Sequence, residues 1–210
     1  MYKGKLITFE GIDGSGKTTQ IRYLESFLQS IGHEVLLLRE PGGTKIGEEI
    51  RKLLLDMKHQ EMTPETELFL FEAARAQLVR EVIRPALQEG KWVICDRYMD
   101  SSVAYQGYGR GLPVRLVEVL NSLAVDEMTP DLTILLELGP AARAERLSRR
   151  HDSGQGDRID VETERFKQRV CEGFRAIADA EPSRVVRVES LDDKEETAEL
   201  IREQVRRVLL

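Results

Sequence analysis

One stretch near the start of the chain, KLITFEGIDGSGKTTQ at residues 5–20, constrains the fold more than any other. Four of its residues fit the pattern G-x-x-x-x-G-K-[ST], namely Gly11, Gly16, Lys17 and Thr18. In such a loop, successive backbone N–H groups and the positive end of the following helix bind phosphate groups. An ordinary glycine turn would explain the glycines but not a Lys-Thr pair at the start of a helix. The stretch therefore predicts a nucleotide site.

Each residue type in this loop has a distinct predicted task. Lys17 would bridge the outer phosphates, and the Thr18 hydroxyl would bind Mg²⁺. Thr19 would either cap the helix or touch the α-phosphate. The predicted ATP-binding loop comprises Gly11, Ile12, Asp13, Gly14, Ser15, Gly16, Lys17, Thr18 and Thr19.

Apolar runs and helical spacings alternate along the rest of the chain. Short aliphatic runs, typical of parallel strands covered on both faces, occur at residues 6–9, 35–38, 92–95, 132–138 and 185–188. Helical patterns lie at residues 17–31, 48–55, 63–90, 113–123, 161–178 and 194–210. We therefore predict an α/β fold of one domain over residues 1–210, with a five-stranded, mostly parallel sheet and helices on both faces.

Composition limits the kinds of binding partner and the cellular compartment that we expect for the protein. With 31 Lys and Arg against 37 Asp and Glu, the formal charge is −6, which argues against a general nucleic-acid-binding surface. No apolar run approaches the ~20 residues that span a bilayer, so we expect no membrane partner and a cytoplasmic location. Cys95 and Cys171 lack C-x-x-C partners, which favours reduced thiols over a disulfide or metal ligands.

Polar residues follow the second and third predicted strands. The segment REPGGT at residues 39–44 contains a proline and two glycines, so it is either a structural turn or a ligand-binding loop. Asp96 and Arg97 follow the third strand, which we expect to lie beside the phosphate loop. Asp96 at this strand end is suited to orient the waters of Mg²⁺ and Arg97 to clamp a phosphate, although the two could also simply pair with each other.

A second ligand chamber is predicted from the middle of the chain. Phe71 and Arg75 lie four residues apart on one helix face, where they offer a stacking surface and a fork of donors. The alternative is a core phenylalanine beside a solvated arginine. Residues 99–112, MDSSVAYQGYGRGL, are predicted to form a glycine-rich loop that holds a small polar ligand. Its candidate side chains are Ser101, Ser102, Tyr105 and Gln106.

A basic segment follows the fourth strand. It combines glycines with arginines, which is typical of a short mobile lid over a phosphate site, at about residues 146–158. A solvated helix face that ends in a surface loop is the competing interpretation. The arginines concerned are Arg143, Arg146, Arg149, Arg150 and Arg158.

Taken together, five motifs in order resemble those of bacterial thymidylate kinases, and the resemblance covers nearly the whole chain. They are FEGIDGSGKTT at 9–19, REPGGT at 39–44, FEAARAQ at 71–77, DRYMDSSVAYQGYGRG at 96–111 and DRID at 157–160. The resemblance implies a P-loop NTPase fold and an enzyme that transfers the γ-phosphate of ATP to thymidine monophosphate (dTMP), with Mg²⁺. It also implies a homodimer. The alternatives are another P-loop nucleoside or nucleotide kinase, or a non-catalytic nucleotide switch.

The resemblance also implies roles for individual residues. Phe71 would stack on thymine and Arg75 would read its edge, with Ser101 and Ser102 nearby. Tyr105 would crowd the 2′ position of the sugar, and Gln106 would line the same pocket. Asp13 would approach the 3′-hydroxyl, and Arg97, helped by Arg51, would hold the monophosphate.

The chain departs from the family at one position of the phosphate loop. Members that carry an arginine in the loop would have it where this chain has Gly14. The charge of the transition state must then be met from elsewhere, and the lid is the expected source. The expected catalytic residues are Lys17, Arg97, Asp13, Arg149 and Arg150.

Overall fold

The computed structural model describes residues 3–138, 157–159 and 161–210 and contains one five-stranded sheet in that part of the chain. The strand order is β2-β3-β1-β4-β5, and every neighbouring pair is parallel. The strands are β1 (Leu6–Glu10), β2 (Val35–Arg39), β3 (Trp92–Asp96), β4 (Leu132–Leu138) and β5 (Val185–Ser190). The five predicted strands are confirmed, and the sheet is wholly rather than mostly parallel.

The described helices connect these strands. They are α1 (Lys17–Ser30), α2 (Lys45–Leu55), α3 (Pro64–Leu78), α4 (Arg84–Glu89), α5 (Met99–Ser102), α6 (Val114–Val125), α7 (Glu164–Ala180) and α8 (Lys194–Leu209). The start of α3 shows how the sequence sets a boundary. Thr63 accepts a hydrogen bond from the Thr66 N–H, and Pro64 occupies the first turn, where its missing N–H costs nothing. A π-helical turn, Val79–Ile83, joins α3 to α4, so the predicted long helix at 63–90 is continuous.

Helices cover both faces of the sheet. On one face Ile7, Phe9 and Ile94 pack against apolar side chains of α1 and α8, such as Leu24 and Ile201. On the other face, strand residues of β1, β3 and β4 pack against the α3–α4 helices and against α7. The predicted layers are thus confirmed, and the carboxyl ends of the central strands remain accessible at one edge.

The predicted loop at residues 99–112 is mostly helical, so that prediction is wrong. Residues of α5 continue into a π-helical segment, Val103–Gly109. The glycines serve close packing instead of loop flexibility: a Cβ on Gly109 would lie 2.7 Å from the Phe166 ring of α7. In the reverse direction, Gly173 of α7 leaves room for the Tyr108 ring.

Smaller corrections concern helix ends and one apolar stripe. Helix α1 has Gly16 as its N-cap, with no side-chain cap, so Thr19 does not cap it. In the helix predicted at residues 113–123, which is α6, not every leucine points inward. Leu116 is 45% and Leu123 71% exposed, and the buried side of α6 is formed by residues such as Val117.

Cysteine placement and helix hydropathy complete the fold. Cys95 is buried in the core and Cys171 is half-buried on α7, and both are reduced thiols. Among the described helices, none has the length and apolar character needed to cross a membrane.

Candidate active site

A cavity of about 400 Å³ opens where β1, β2 and β3 end. Parallel α/β sheets place their ligands at this edge, and the volume suits a small organic ligand. Its walls come from the phosphate loop, the 39–41 turn, α2, α3, the 96–106 region and residues 157 and 159. The lining residues are Asp13, Gly14, Gly16, Lys17, Thr18, Thr19, Arg39, Glu40, Pro41, Arg51, Leu55, Phe71, Asp96, Arg97, Ser101, Ser102, Tyr105, Gln106, Asp157 and Ile159.

The phosphate loop has the backbone that its glycines predict. Gly11 has φ 130°, and a Cβ there would lie 2.4 Å from the Leu136 carbonyl oxygen, so only glycine fits. Gly14 has φ 79° and faces open space. The helix α1 that follows directs its free N–H groups towards the loop. The loop therefore forms an anion-binding nest at the end of β1.

Lys17 lies at the first position of α1 and is buried within this nest. Its Nζ donates hydrogen bonds to the carbonyls of Gly11, at 3.1 Å, and Ile12, at 3.3 Å. Burial, reinforced by the positive charge of Arg97, lowers the pKa of Lys17 to about 8, although Asp13 acts in the opposite direction. The loop thus holds a cation that forms no salt bridge with a carboxylate in the described residues, although Asp13 lies near it, and this cation is suited to bind an anionic ligand.

Arg97 occupies an unusual backbone conformation directly after β3. Its φ of 70° is rare for a residue with a side chain and costs about 1–3 kcal/mol. Its guanidinium donates to Asp13 Oδ1 at 3.0 Å and to Ser101 Oγ at 3.2 Å. Its Cζ also lies 5.0 Å from the centre of the Tyr105 ring. The strained turn therefore directs Arg97 to the point where the phosphate loop meets the second chamber.

Glu10, at the end of β1, stabilises this turn and was not singled out from the sequence. Its Oε1 accepts hydrogen bonds from the N–H groups of Tyr98, at 2.8 Å, and Ser101, at 3.2 Å, and Oε2 lies 2.6 Å from Ser101 Oγ. Burial and the nearby Asp100 carboxylate raise the pKa of Glu10 to about 8, despite Arg97. The only sequence signal was an acidic residue ending an apolar run.

Asp96 and Thr18 provide oxygen atoms beside the phosphate loop. Both line the cavity. Asp96 Oδ1 is buried and accepts no hydrogen bond from the described residues. Buried polar atoms normally have partners, so this oxygen is suited to a ligand that the protein itself does not supply. Carboxylate and hydroxyl oxygens are the ligand types that Mg²⁺ prefers, so these residues fit that ion.

The second chamber has one aromatic wall and one polar wall. Phe71 is half-buried and lines the cavity, whereas Arg75 is 1% exposed and does not line it. Arg75 donates to Glu40 Oε2 at 2.8 Å, Glu72 Oε1 at 2.7 Å and Ser102 Oγ at 2.9 Å. Arg75 therefore lies behind the wall and can act on the chamber through Ser102, whose hydroxyl donates no hydrogen bond to the described residues.

The remaining predicted residues are distributed unevenly. Arg51 lines the cavity and donates to the Pro41 carbonyl at 3.0 Å, and Gln106 lines it beside Tyr105. The lid arginines Arg143, Arg146, Arg149 and Arg150 lie outside the described residues. Arg158 is described; it is buried in an ion pair with Glu67 and so does not present its charge to the cavity. Lining residues that were not singled out as ligands include Arg39, Pro41, Leu55, Asp157 and Ile159.

Comparison with known proteins decides the family. The family model described as thymidylate kinase matches residues 9–201. The chain belongs to the thymidylate kinase family. Among curated thymidylate kinases, that of an Exiguobacterium species is 44% identical over 202 residues, which is 96% of this chain and 92% of that one. That of Pelotomaculum thermopropionicum is 49% identical over 182 residues, covering 87% and 83% of the two chains.

A solved member of the thymidylate kinase family has the same architecture. The crystal structure of thymidylate kinase from Ehrlichia chaffeensis superimposes with a TM-score of 0.78 at 36% identity, covering 97% of this chain and 98% of that one. The predicted P-loop fold and the predicted enzyme, an ATP-dependent thymidylate kinase, are confirmed. The comparisons favour neither alternative, another P-loop kinase or a nucleotide switch.

Proposed function

We propose that the cavity holds dTMP and the phosphate groups of ATP end to end and aligns the γ-phosphate of ATP with a phosphate oxygen of dTMP. One observation supports this arrangement above all: a single continuous cavity is lined by the phosphate loop and by the aromatic and polar chamber that contains Phe71. A nucleotide switch needs only the first of these two parts. The ion pair between Asp13 and Arg97 lies where the two parts meet.

The proposed mechanism is alignment and charge neutralisation. The monophosphate already carries a nucleophilic oxyanion at neutral pH, so no general base is required. Lys17 neutralises the outer phosphates of ATP, and Arg97, with Arg51, holds the acceptor phosphate. When dTMP binds, Asp13 separates from Arg97 and accepts a hydrogen bond from the 3′-hydroxyl of the sugar.

Thr18 and Asp96 are the proposed residues for Mg²⁺. The ion, when bound with ATP, supplies positive charge to the phosphate oxygens. Asp96 Oδ1, which is buried and accepts no hydrogen bond from the part of the chain that the structure describes, supports this assignment. The backbone N–H groups of residues 11–19 hold the phosphates independently of the ion.

The base and sugar are assigned to the second chamber. Phe71 stacks on the thymine ring, and Arg75 acts on its edge through Ser102, since the two side chains are hydrogen-bonded. Tyr105 packs against the sugar at the 2′ position. Ser101 and Gln106 complete the wall, both as lining residues.

The transition-state charge is assigned partly to Arg149 and Arg150 of the proposed lid, at about residues 146–158. Gly14 supports this, because the phosphate loop offers no side-chain cation at that position. Arg158 is a weaker candidate, because its guanidinium is bound to Glu67. We also propose that residues 1–210 form one domain.

Assembly as a homodimer is proposed from three adjacent helices. Large apolar side chains are exposed on α2, α3 and α6: Leu53 at 47%, Phe69 at 58%, Leu116 at 45%, Val119 at 51% and Leu123 at 71%. Helix α3 packs against both α2 and α6, so these side chains are carried by one continuous layer of helices. Exposed apolar patches of this kind mark protein interfaces. A cytoplasmic location, where both nucleotides are present, is proposed with it.

The variant Phe71→Ala tests the second chamber. Loss of the stacking surface should weaken dTMP binding by about 1–3 kcal/mol, the range for one base stacked on an aromatic side chain. Titration calorimetry of dTMP in the absence of ATP measures this directly. ATP affinity should stay within about twofold, because Phe71 is absent from the phosphate loop. Unchanged dTMP affinity would show that Phe71 does not stack on the base and has only a packing role.

A second test uses the lowered pKa of Lys17. Phosphate groups favour its protonated form, so ATP binds more tightly below the pKa of about 8, and its affinity should fall as pH rises through that value. Well above it the loss approaches about tenfold per pH unit. Calorimetry between pH 7 and 9.5, in buffers of different ionisation enthalpy, should detect proton uptake on binding. Lys17→Arg, which stays charged, should lose this step; a step that survived would belong to another group.

A further inference from the structure

Glu67, near the start of α3, connects elements that are distant in sequence. It is 1% exposed. Its Oε1 accepts from Gln106 Nε2 at 2.9 Å and from Arg110 Nε at 3.0 Å. Its Oε2 accepts from Arg110 Nη2 at 2.8 Å and from Arg158 Nη2 at 2.5 Å. The carboxylate of Glu67 thus links α3 to the end of the π-helical segment and to residue 158.

The charges around Glu67 balance within a small cluster, in which Glu67 and Arg158 are buried and the other two members are partly buried. Arg110 also pairs with Glu162, and its Cζ lies 4.7 Å from the centre of the Phe166 ring. Two carboxylates, Glu67 and Glu162, therefore face two guanidinium groups, Arg110 and Arg158. Although burial raises the pKa of Glu67, hydrogen bonds from Arg110 and Gln106 and the charge of Arg158 bring it below its ordinary value. Glu67 is therefore ionised at neutral pH.

The partners of Glu67 adjoin two walls of the cavity. Gln106 lines the cavity itself, next to Tyr105. Arg158 lies between Asp157 and Ile159, which both line the cavity as well. Arg158 is held further by its Nε, which donates to the Leu54 carbonyl at 2.9 Å. Moving Glu67 would therefore move both walls at once, although Glu67 does not itself line the cavity.

We propose that Glu67 is a positioning residue for the acceptor nucleotide. By binding Gln106, Arg110 and Arg158 together, it sets the distance between the helical wall with Tyr105 and the wall formed by Asp157 and Ile159. The width of the acceptor chamber thus depends on a buried ion pair behind it. This inference rests on the proposed placement of dTMP in that chamber.

The primary test is Glu67→Gln, which keeps the shape and removes the charge. The affinity for dTMP should fall about tenfold, because the two walls that contact dTMP would shift relative to each other, and small displacements in a site can have effects of this order. The dissociation constant for ATP and the kcat at saturating dTMP should stay within about twofold. Glu172→Gln, the same change at an exposed carboxylate of α7, is the matched control and should alter none of these values.

A double variant separates positioning from simple charge balance. Glu67→Gln leaves a net positive charge in the buried cluster and can lower the melting temperature. Adding Arg158→Met restores neutrality but does not restore the bond between α3 and residue 158. Positioning predicts that the double variant recovers stability while dTMP binding stays about tenfold weak. Recovery of dTMP binding in the double variant would overturn the inference.

The outcomes distinguish this inference from the proposed function. Arg158→Met alone breaks the same bond from the other side, so it should reproduce the weak dTMP binding if Glu67→Gln is insoluble. Unchanged dTMP affinity in whichever of these variants fold would refute positioning while the wild-type enzyme still phosphorylates dTMP. Failure of the wild-type enzyme to bind dTMP would instead refute the assignment of the chamber.

Discussion

Lys17→Ala is expected to lower kcat by about 10³-fold or more while the protein stays folded. The loss lies at the upper end of the range for removing one preorganised donor from a transition state, because Lys17 carries a full charge in a buried site. Among the described residues its Nζ donates hydrogen bonds to the loop carbonyls of Gly11 and Ile12, and Lys17 is not part of an apolar core cluster, so the fold should survive its loss. Steady-state kinetics with dTMP and ATP, together with a thermal melt, measure both quantities.

The control for this variant is Lys58→Ala, which removes an exposed lysine before α3. Surface changes of this kind seldom exceed 0.5 kcal/mol, so its kcat should stay within about twofold. If the Lys17→Ala protein has the melting temperature and the kcat of the wild type, the assignment of Lys17 to phosphate binding is wrong. Reduced activity together with a much lower melting temperature would instead indicate a folding defect. Lys17→Met would then be the variant to measure.

The second large effect is expected for Arg97→Met, with a loss of about 10²-fold or more in kcat/KM. Without the Arg97 guanidinium, the acceptor phosphate would lose its charge-assisted hydrogen bonds and its alignment with ATP. Methionine keeps much of the length of the side chain, and the backbone strain at φ 70° is present in both proteins. Loss of the ion pair with Asp13 and of the hydrogen bond to Ser101 should nevertheless lower the melting temperature, so the kinetics are measured well below it. Initial rates at varied dTMP would show the change.

The matched control here is Arg207→Met, an exposed arginine on α8. It should leave kcat/KM within about twofold. If Arg97→Met behaved like the control, the strained turn would have no role in acceptor binding. A rise in KM for ATP alone would move Arg97 to the donor side of the site.

The strands and the phosphate loop were predictable because their signals are local. The run Val93-Ile94-Cys95, for example, is aliphatic without alternation, as a strand buried on both faces must be. The glycine-rich stretch at 99–112 was misjudged for a physical reason. A glycine that frees the backbone and one that makes room for a neighbouring ring, such as Gly109 beside Phe166, look identical in sequence.

The supporting side chains were not predictable, since their partners lie far away in the chain. Glu67 meets Arg158 across 91 residues, and Glu10 meets Tyr98 across 88. Each of these acids reads as an ordinary charged residue until the fold brings its partner near. Arg75 shows the same limit: its spacing from Phe71 placed it near the second chamber, but not in the buried cluster with Glu40 and Glu72.

The order of the strands has a consequence for how the protein folds during synthesis. The central strand β1 pairs with β3 and β4, and its Thr8 meets Thr133 across 125 residues. At about 5–20 residues per second, β1 waits roughly 6–25 s on the ribosome before β4 has been made. Nonlocal parallel pairing of this kind is intrinsically slow to form. The phosphate loop, although it is encoded near the start of the chain, is therefore among the last parts of the enzyme to reach its final shape.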